Sequence, residues 1–106
     1  MPKYIVNVSY TSEGSKGLRK DGGTKRAGIV DRAVRGLGGK LEAFYFSLGK
    51  YDVVAIVDMP DTVSVAGLSL AVSAGGGAEC TTAELLTPED MDRACSKKTA
   101  YRAPGA

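Results

Sequence analysis

Histidine and tryptophan are both absent from this chain of 106 residues. Without histidine, the protein has no imidazole that could act as a general base, bind a metal ion or hold a haem iron. We therefore expect neither a metal site nor a cofactor. Any catalysis would depend on Asp, Glu, Tyr, Lys, Arg, Ser or Cys side chains.

Cysteine is scarce as well. Cys80 and Cys95 are the two cysteines, and because they form no CxxC pair we expect two reduced thiols. No apolar run approaches the ~20 residues that a transmembrane helix needs. The chain enters a strand pattern at Lys3 without the apolar segment of a signal peptide. These features favour a cytoplasmic protein that has no membrane partner.

The net charge is small. The 14 Lys and Arg residues against 12 Asp and Glu residues give a formal charge of +2, which is too even to indicate nucleic acid as a partner. Basic residues are nevertheless concentrated between positions 16 and 40. We interpret this region as the solvated face of a helix, and an anion-facing patch is the alternative.

Two apolar strands joined by a turn form the centre of the chain, from Leu41 to Asp58. The turn covers residues 48–52. The second strand, residues 53–57, is apolar at every position, which indicates burial on both faces. Strict alternation divides the first strand into Leu41, Ala43, Tyr45 and Ser47 on one face and Glu42, Phe44, Phe46 and Leu48 on the other.

Further strand and helix patterns flank this hairpin. A strand over Lys3–Tyr10 precedes a helical region that Gly22-Gly23 should interrupt, with Thr24 capping its second part. The elements after the hairpin are predicted as a helix over 62–74 with Asp61 as its N-cap, a strand over 79–86, and a helix from Thr87 to about residue 98.

This order of elements predicts an α+β fold of the ferredoxin-like βαββαβ(α) type, with a four-stranded antiparallel sheet. We predict a single domain over residues 1–98 and a flexible tail over residues 99–106. A sheet covered by helices on one face should be polar on the other, but the two strands of the hairpin carry apolar residues on both faces. We therefore predict a homodimer in which two sheets stack as a barrel.

The turn has the sequence Gly49-Lys50-Tyr51-Asp52, with Gly38-Gly39-Lys40-Leu41 before the hairpin and Pro60-Asp61 after it. In these segments the chain resembles the GYD domain family. The resemblance implies a dimeric α+β barrel, and members of the family are mostly small bacterial proteins of unassigned activity. Related barrels include cofactor-free monooxygenases, isomerases, haem enzymes and ligand-sensing modules, so the fold implies no single reaction.

Two interpretations of the turn are open. In the structural one, Gly49 adopts a positive φ, the ring of Tyr51 packs, and Asp52 accepts hydrogen bonds from turn amides. In the functional one, Tyr51 and Asp52 line a ligand pocket between sheet and helices, where Asp52 is the candidate base or anchor. Tyr45 and Asn7 would contribute to this pocket from neighbouring strands.

Three functions remain compatible with these residues. The one that we favour is a dimeric module that binds a small organic ligand in the cleft between sheet and helices. The second is a cofactor-independent monooxygenase or isomerase that uses Asp52 as its base. The third is a structural or interaction subunit whose role is its interface.

Overall fold

A computed structural model describes residues 1–106 of the chain. The elements are β1 (Lys3–Tyr10), α1 (Ser12–Asp21), α2 (Gly23–Gly36), β2 (Lys40–Phe46), β3 (Val53–Asp58), α3 (Thr62–Ala74), β4 (Ala78–Leu85) and α4 (Pro88–Cys95). The four strands form one antiparallel sheet in the order β2-β3-β1-β4. This is the ferredoxin-like α+β arrangement, and the predicted fold class is confirmed.

The hydrophobic core lies between one face of the sheet and the helices α2 and α3. Alternate residues of β1 and β3, such as Tyr4 and Val57, are buried on this face, and Val34 of α2 and Leu68 of α3 pack against them. Met59 is fully buried directly after β3. Each large apolar side chain buried in this layer contributes about 1.5–3 kcal/mol, so the layer fixes the positions of α2 and α3 on the sheet.

A β-bulge lies between Leu41 and Ala43 in β2. Leu41 pairs with Val57, which is buried beneath the helices, whereas Tyr45 pairs with Val54 on the opposite face. The prediction that Leu41 and Tyr45 share a face is therefore wrong, because the extra residue of the bulge reverses the alternation.

The helix ends follow the predicted glycine and capping residues, with two exceptions. Gly22 has a φ of 85° and separates α1 from α2, and Asp61 caps α3 by accepting a hydrogen bond from the amide of Ser64 at 2.7 Å. Thr24, however, lies inside α2, because Gly22 occupies the N-cap position. The last helix ends at Cys95, earlier than predicted.

The second face of the sheet is not covered by the core helices. Ile5, Val54 and Ile56 lie on it and remain partly exposed, and Tyr45 is 71% exposed. Because these side chains occupy adjacent positions on three neighbouring strands, they form a continuous apolar surface, which we call the open face.

The C-terminal part of the chain extends from the body of the domain. The side chains of α4 and of residues 96–106 are almost all exposed. The radius of gyration is 16.9 Å, whereas a compact domain of this length would have about 13 Å. Residues 99–106 lie outside helices and strands, and their flexibility stays a prediction. None of the helices has the length and apolar character required to cross a membrane.

Candidate functional site

An apolar cavity of about 90 Å³ lies between the sheet and the helices. Of its 14 lining residues, 13 are hydrophobic, and Arg26 is the exception. Strands β1 and β3 form its floor with Val6, Val8, Val53, Ala55 and Val57, and the helices cover it with Ile29, Val30, Ala33, Leu68 and Val72. The cavity therefore suits an apolar group.

A larger groove of about 350 Å³ lies beside this cavity, between α1, α2 and α3. The two spaces share the lining residues Tyr10, Arg26, Ala33, Leu68 and Val72, so they form a single cleft with an inner and an outer part. Small residues form much of the lining of the outer part. They belong to α1, α3, the loop before β4 and the start of β4, namely Gly14, Gly17, Ala71, Gly75, Gly77 and Ala78. The small side chains of these elements leave the groove open.

Tyr10 and Arg26 are the polar groups at the junction of cavity and groove. Burial raises the pKa of the Tyr10 phenol, the charge of the neighbouring Arg26 opposes this rise, and the carboxylate of Asp52 adds to it. The phenol thus stays protonated at neutral pH and acts as a hydrogen-bond donor. Arg26 is half-buried and takes part in none of the salt bridges of the chain.

Asp52 holds the turn against the end of β1. Its Oδ2 accepts a hydrogen bond from the backbone amide of Tyr10 at 2.7 Å, and its own amide donates to the carbonyl of Val8 at 2.8 Å. The amide that its carboxylate binds therefore belongs to β1 and not to the turn. Asp52 is exposed and lines neither part of the cleft. It nevertheless fixes the backbone of Tyr10, and Tyr10 lines both parts.

The other three predicted site residues also lie outside the cleft lining. Tyr51 is half-buried in the turn, with the Nζ of Lys50 at 5.6 Å from its ring centroid. Asn7 and Tyr45 both pair with Val54 and thus lie in one row across the open face. Asn7 and Tyr45 lie on either side of Val54 in this row, whereas Tyr51 and Asp52 belong to the turn. A role of these four residues in ligand binding stays a prediction.

Gly49 departs from the structural interpretation of the turn. It was predicted to have a positive φ, but the glycines with positive φ are Gly22, Gly38, Gly76 and Gly105. The turn is long enough to reverse the chain without this conformation, and the amide of Gly49 donates to the Oγ of Ser47 at 3.1 Å.

The sequence interpretation missed Tyr10 and Arg26 as site residues. Tyr10 ends the alternating series that Tyr4 begins, which places it on the helix-facing side of the sheet. Arg26 precedes Val30 by one helical turn and Ala33 by two, so helical spacing places it on the apolar side of α2. The interpretation of the basic region as the solvated face of a helix places Arg26 among the solvent-facing residues, which the structure does not support.

Cys80 lies in the wall of the inner cavity. Burial raises the pKa of its thiol, and Ser69 lowers it to a smaller extent. Cys95 is exposed on α4, and both cysteines are free. No cluster of three or more His, Cys, Asp or Glu side chains has an arrangement suited to a metal ion.

Comparison with known proteins adds one result. The sequence model of the GYD domain matches residues 4–95, a range that extends from β1 to the end of α4. No curated protein and no solved structure matches the chain.

Proposed function

The chain belongs to the GYD domain family, and we propose that it is a homodimeric module that binds a small organic ligand in the cleft between its sheet and its helices. The observation that carries this proposal is the apolar inner cavity that opens into a groove of about 350 Å³. Pockets for small organic ligands have typical volumes of about 300–1,000 Å³ and are lined by apolar side chains with a few polar groups.

The dimer is proposed from the open face. Apolar side chains of three strands are adjacent there, and Tyr45 remains 71% exposed. Three charged residues at one end of this face are paired, because Lys3 lies 2.5 Å from Glu42 and 2.8 Å from Asp58. Stacking two such faces would bury apolar surface without leaving these charges unpaired.

Light scattering after size-exclusion chromatography tests the dimer. The wild-type chain should elute as a dimer, and Ile56→Glu should elute as a monomer because it places a charge in the centre of the open face. Val63→Glu is the matched control, since Val63 is 81% exposed on α3 and lies outside the open face. A wild-type chain that is monomeric at working concentration contradicts the proposed assembly.

The ligand site is tested with N-phenyl-1-naphthylamine, an uncharged apolar dye whose fluorescence rises in apolar surroundings. The wild-type chain should bind it, and Ala33→Phe should block it, because Ala33 lines both parts of the cleft. Ala66→Phe makes the same change at an exposed position of α3 outside the cleft, and it should leave binding unchanged. Equal dye binding by Ala33→Phe and Ala66→Phe would contradict a cleft site.

Within this proposal the four predicted residues have different tasks. Tyr51 and Asp52 hold the turn and, through the backbone of Tyr10, one wall of the cleft. Asn7 and Tyr45 lie on the open face, which would form the dimer interface. Conversion of a bound compound that is lost in Asp52→Asn would instead favour the cofactor-independent monooxygenase or isomerase, and a stable dimer without dye binding would favour the interaction subunit.

A further inference from the structure

We infer that the ligand of the cleft is an apolar monocarboxylic acid, whose carboxylate is bound by Arg26 and Tyr10 while its hydrocarbon part fills the inner cavity. This inference rests on the proposed function and adds the chemical class of the ligand. Three observations support it. The half-buried cation Arg26 has no acidic partner, the polar groups at the junction can donate hydrogen bonds, and the cavity beyond them is apolar.

Arg26 carries the only charge in the lining of the inner cavity. Four other cations have acidic partners: Lys3 with Glu42 and Asp58, Lys25 with Asp21, Arg35 with Asp31, and Arg93 with Asp90. Nine further Lys and Arg residues have no such partner, and all nine are exposed. Arg26 has none, although it is half-buried beside apolar side chains. A partly desolvated and unpaired cation gains from a bound anion far more than an exposed cation does.

Both polar groups at the junction can donate hydrogen bonds. The guanidinium of Arg26 has no acceptor atom, and the Tyr10 phenol is held in its protonated form by burial. A ligand group that binds the guanidinium must therefore accept hydrogen bonds. A carboxylate matches the planar fork of a guanidinium with two parallel hydrogen bonds, and the phenol can donate to one of the same oxygens.

The acidic residue of the groove does not oppose this assignment. Asp21 lines the outer groove, where its Oδ1 lies 3.6 Å from the Nζ of Lys25, so a cation already accompanies its charge. Beyond Arg26 and Tyr10 the inner walls are apolar, with the thiol of Cys80 as the remaining polar group. The ligand is therefore expected to have one anionic end and an uncharged, apolar body.

Competition against N-phenyl-1-naphthylamine tests the inference with two probes of equal chain length, octanoate and 1-octanol. Octanoate should displace the dye from the wild-type chain at a concentration about tenfold or more below that of octanol, the difference that a charge-assisted pair in a half-buried site provides. Arg26→Gln should remove this preference, and Tyr10→Phe, which keeps the ring, should reduce it severalfold. Arg32→Gln removes the same charge from an exposed position of α2 that does not line the cleft, and it should retain the full preference.

The outcomes separate the two proposals. If the dye binds but octanoate and octanol compete equally, or if the preference survives in Arg26→Gln, the carboxylate inference is overturned and the apolar cleft stands. If the dye does not bind to the wild-type chain, both proposals fail. Arg26→Lys keeps the charge without the fork, so an intermediate preference in this variant supports the inference independently of any loss of fold in Arg26→Gln.

Discussion

Gly14 in α1 is the position at which a single methyl group should have the largest effect on this fold. A Cβ built at Gly14 would lie 1.8 Å from the carbonyl oxygen of Gly77 and 2.8 Å from its carbonyl carbon. Both atoms belong to backbone that is held close to the start of α1, because the amide of Thr11, the N-cap of α1, donates to the Gly77 carbonyl at 3.0 Å. No side-chain rotation can relieve such a contact, so α1 or the loop before β4 has to move.

The magnitude follows from two opposing contributions. Alanine is about 1 kcal/mol better than glycine inside a helix, whereas overpacking against a rigid neighbour costs about 1–3 kcal/mol or more. At 1.8 Å the contact with Gly77 belongs at the upper end of that range. We expect Gly14→Ala to lower the free energy of unfolding by roughly 2 kcal/mol, which corresponds to a fall in Tm of roughly 10 °C for a domain of this size.

Gly17 provides the matched control on the same helix. A Cβ at Gly17 has nothing within 4 Å, so Gly17→Ala should gain helix propensity and raise Tm by a few degrees, about 0.5–1 kcal/mol. Gly77→Ala tests the contact from the other side, where a Cβ would lie 3.5 Å from the Cα of Gly14, an ordinary separation. Thermal unfolding followed by circular dichroism measures all three variants. If Gly14→Ala is as stable as Gly17→Ala, the close approach of α1 to the loop does not exist as described.

Three further predictions concern a turn, a cap and a thiol. Asp52→Ala should lower the free energy of urea unfolding by about 1 kcal/mol, because the Tyr10 amide loses a charged acceptor, and Asp52→Asn, which keeps an acceptor, should cost less; equal losses would contradict this. Hydrogen bonds at the N-terminus of α3 lower the pKa of Asp61 in the folded state. The ionised Asp61 therefore stabilises the fold fully above the pKa that it has in the unfolded chain, and this stabilisation is lost as the pH falls through its pKa in the folded state. Asp61→Asn should therefore lose less stability than the wild type when the pH falls below about 4, and parallel pH profiles would refute the assignment. Burial raises the pKa of the Cys80 thiol, so iodoacetamide should alkylate Cys80 more slowly than Cys95 near neutral pH, and bound dye should slow Cys80 alone in peptide mass spectra; equal rates would place Cys80 outside the cavity wall.

The fold was predictable because its signals are local. The end of α1 follows from the adjacent glycines at 22 and 23, the start of α3 from the capping residue Asp61, and β1 from its alternating pattern. None of these predictions requires knowledge of tertiary neighbours. The bulge in β2 had no such signal. A bulge changes which residues pair across the sheet. The segment from Leu41 to Ala43 fits a regular strand equally well, so the predicted face of Leu41 is wrong.

The candidate site was harder to predict because it depends on tertiary contacts. The functional interpretation of the turn placed Tyr51 and Asp52 in a ligand pocket. In the structure, Asp52 lies outside the cleft lining and accepts a hydrogen bond from the backbone amide of Tyr10. The side chains that reach the junction, Tyr10 and Arg26, belong to elements that meet only when the sheet and α2 are packed. The charge of Arg26 favours the solvent side, whereas its spacing of seven residues from Ala33 indicates the side of α2 that lines the cleft.

The width of the outer groove depends on what surrounds the glycines of α1, and the sequence alone does not reveal these surroundings. Gly14 and Gly17 lie on the same helix and carry the same cost in helix propensity, but they differ in what surrounds them. Gly14 lets two backbones touch and so fixes α1 against the loop at Gly77, whereas the space beside Gly17 is open. Both residues line the groove. Gly14 thus sets the position of the groove wall, and Gly17 keeps the groove wide. These two roles explain why a helix beside the cleft contains residues that weaken it.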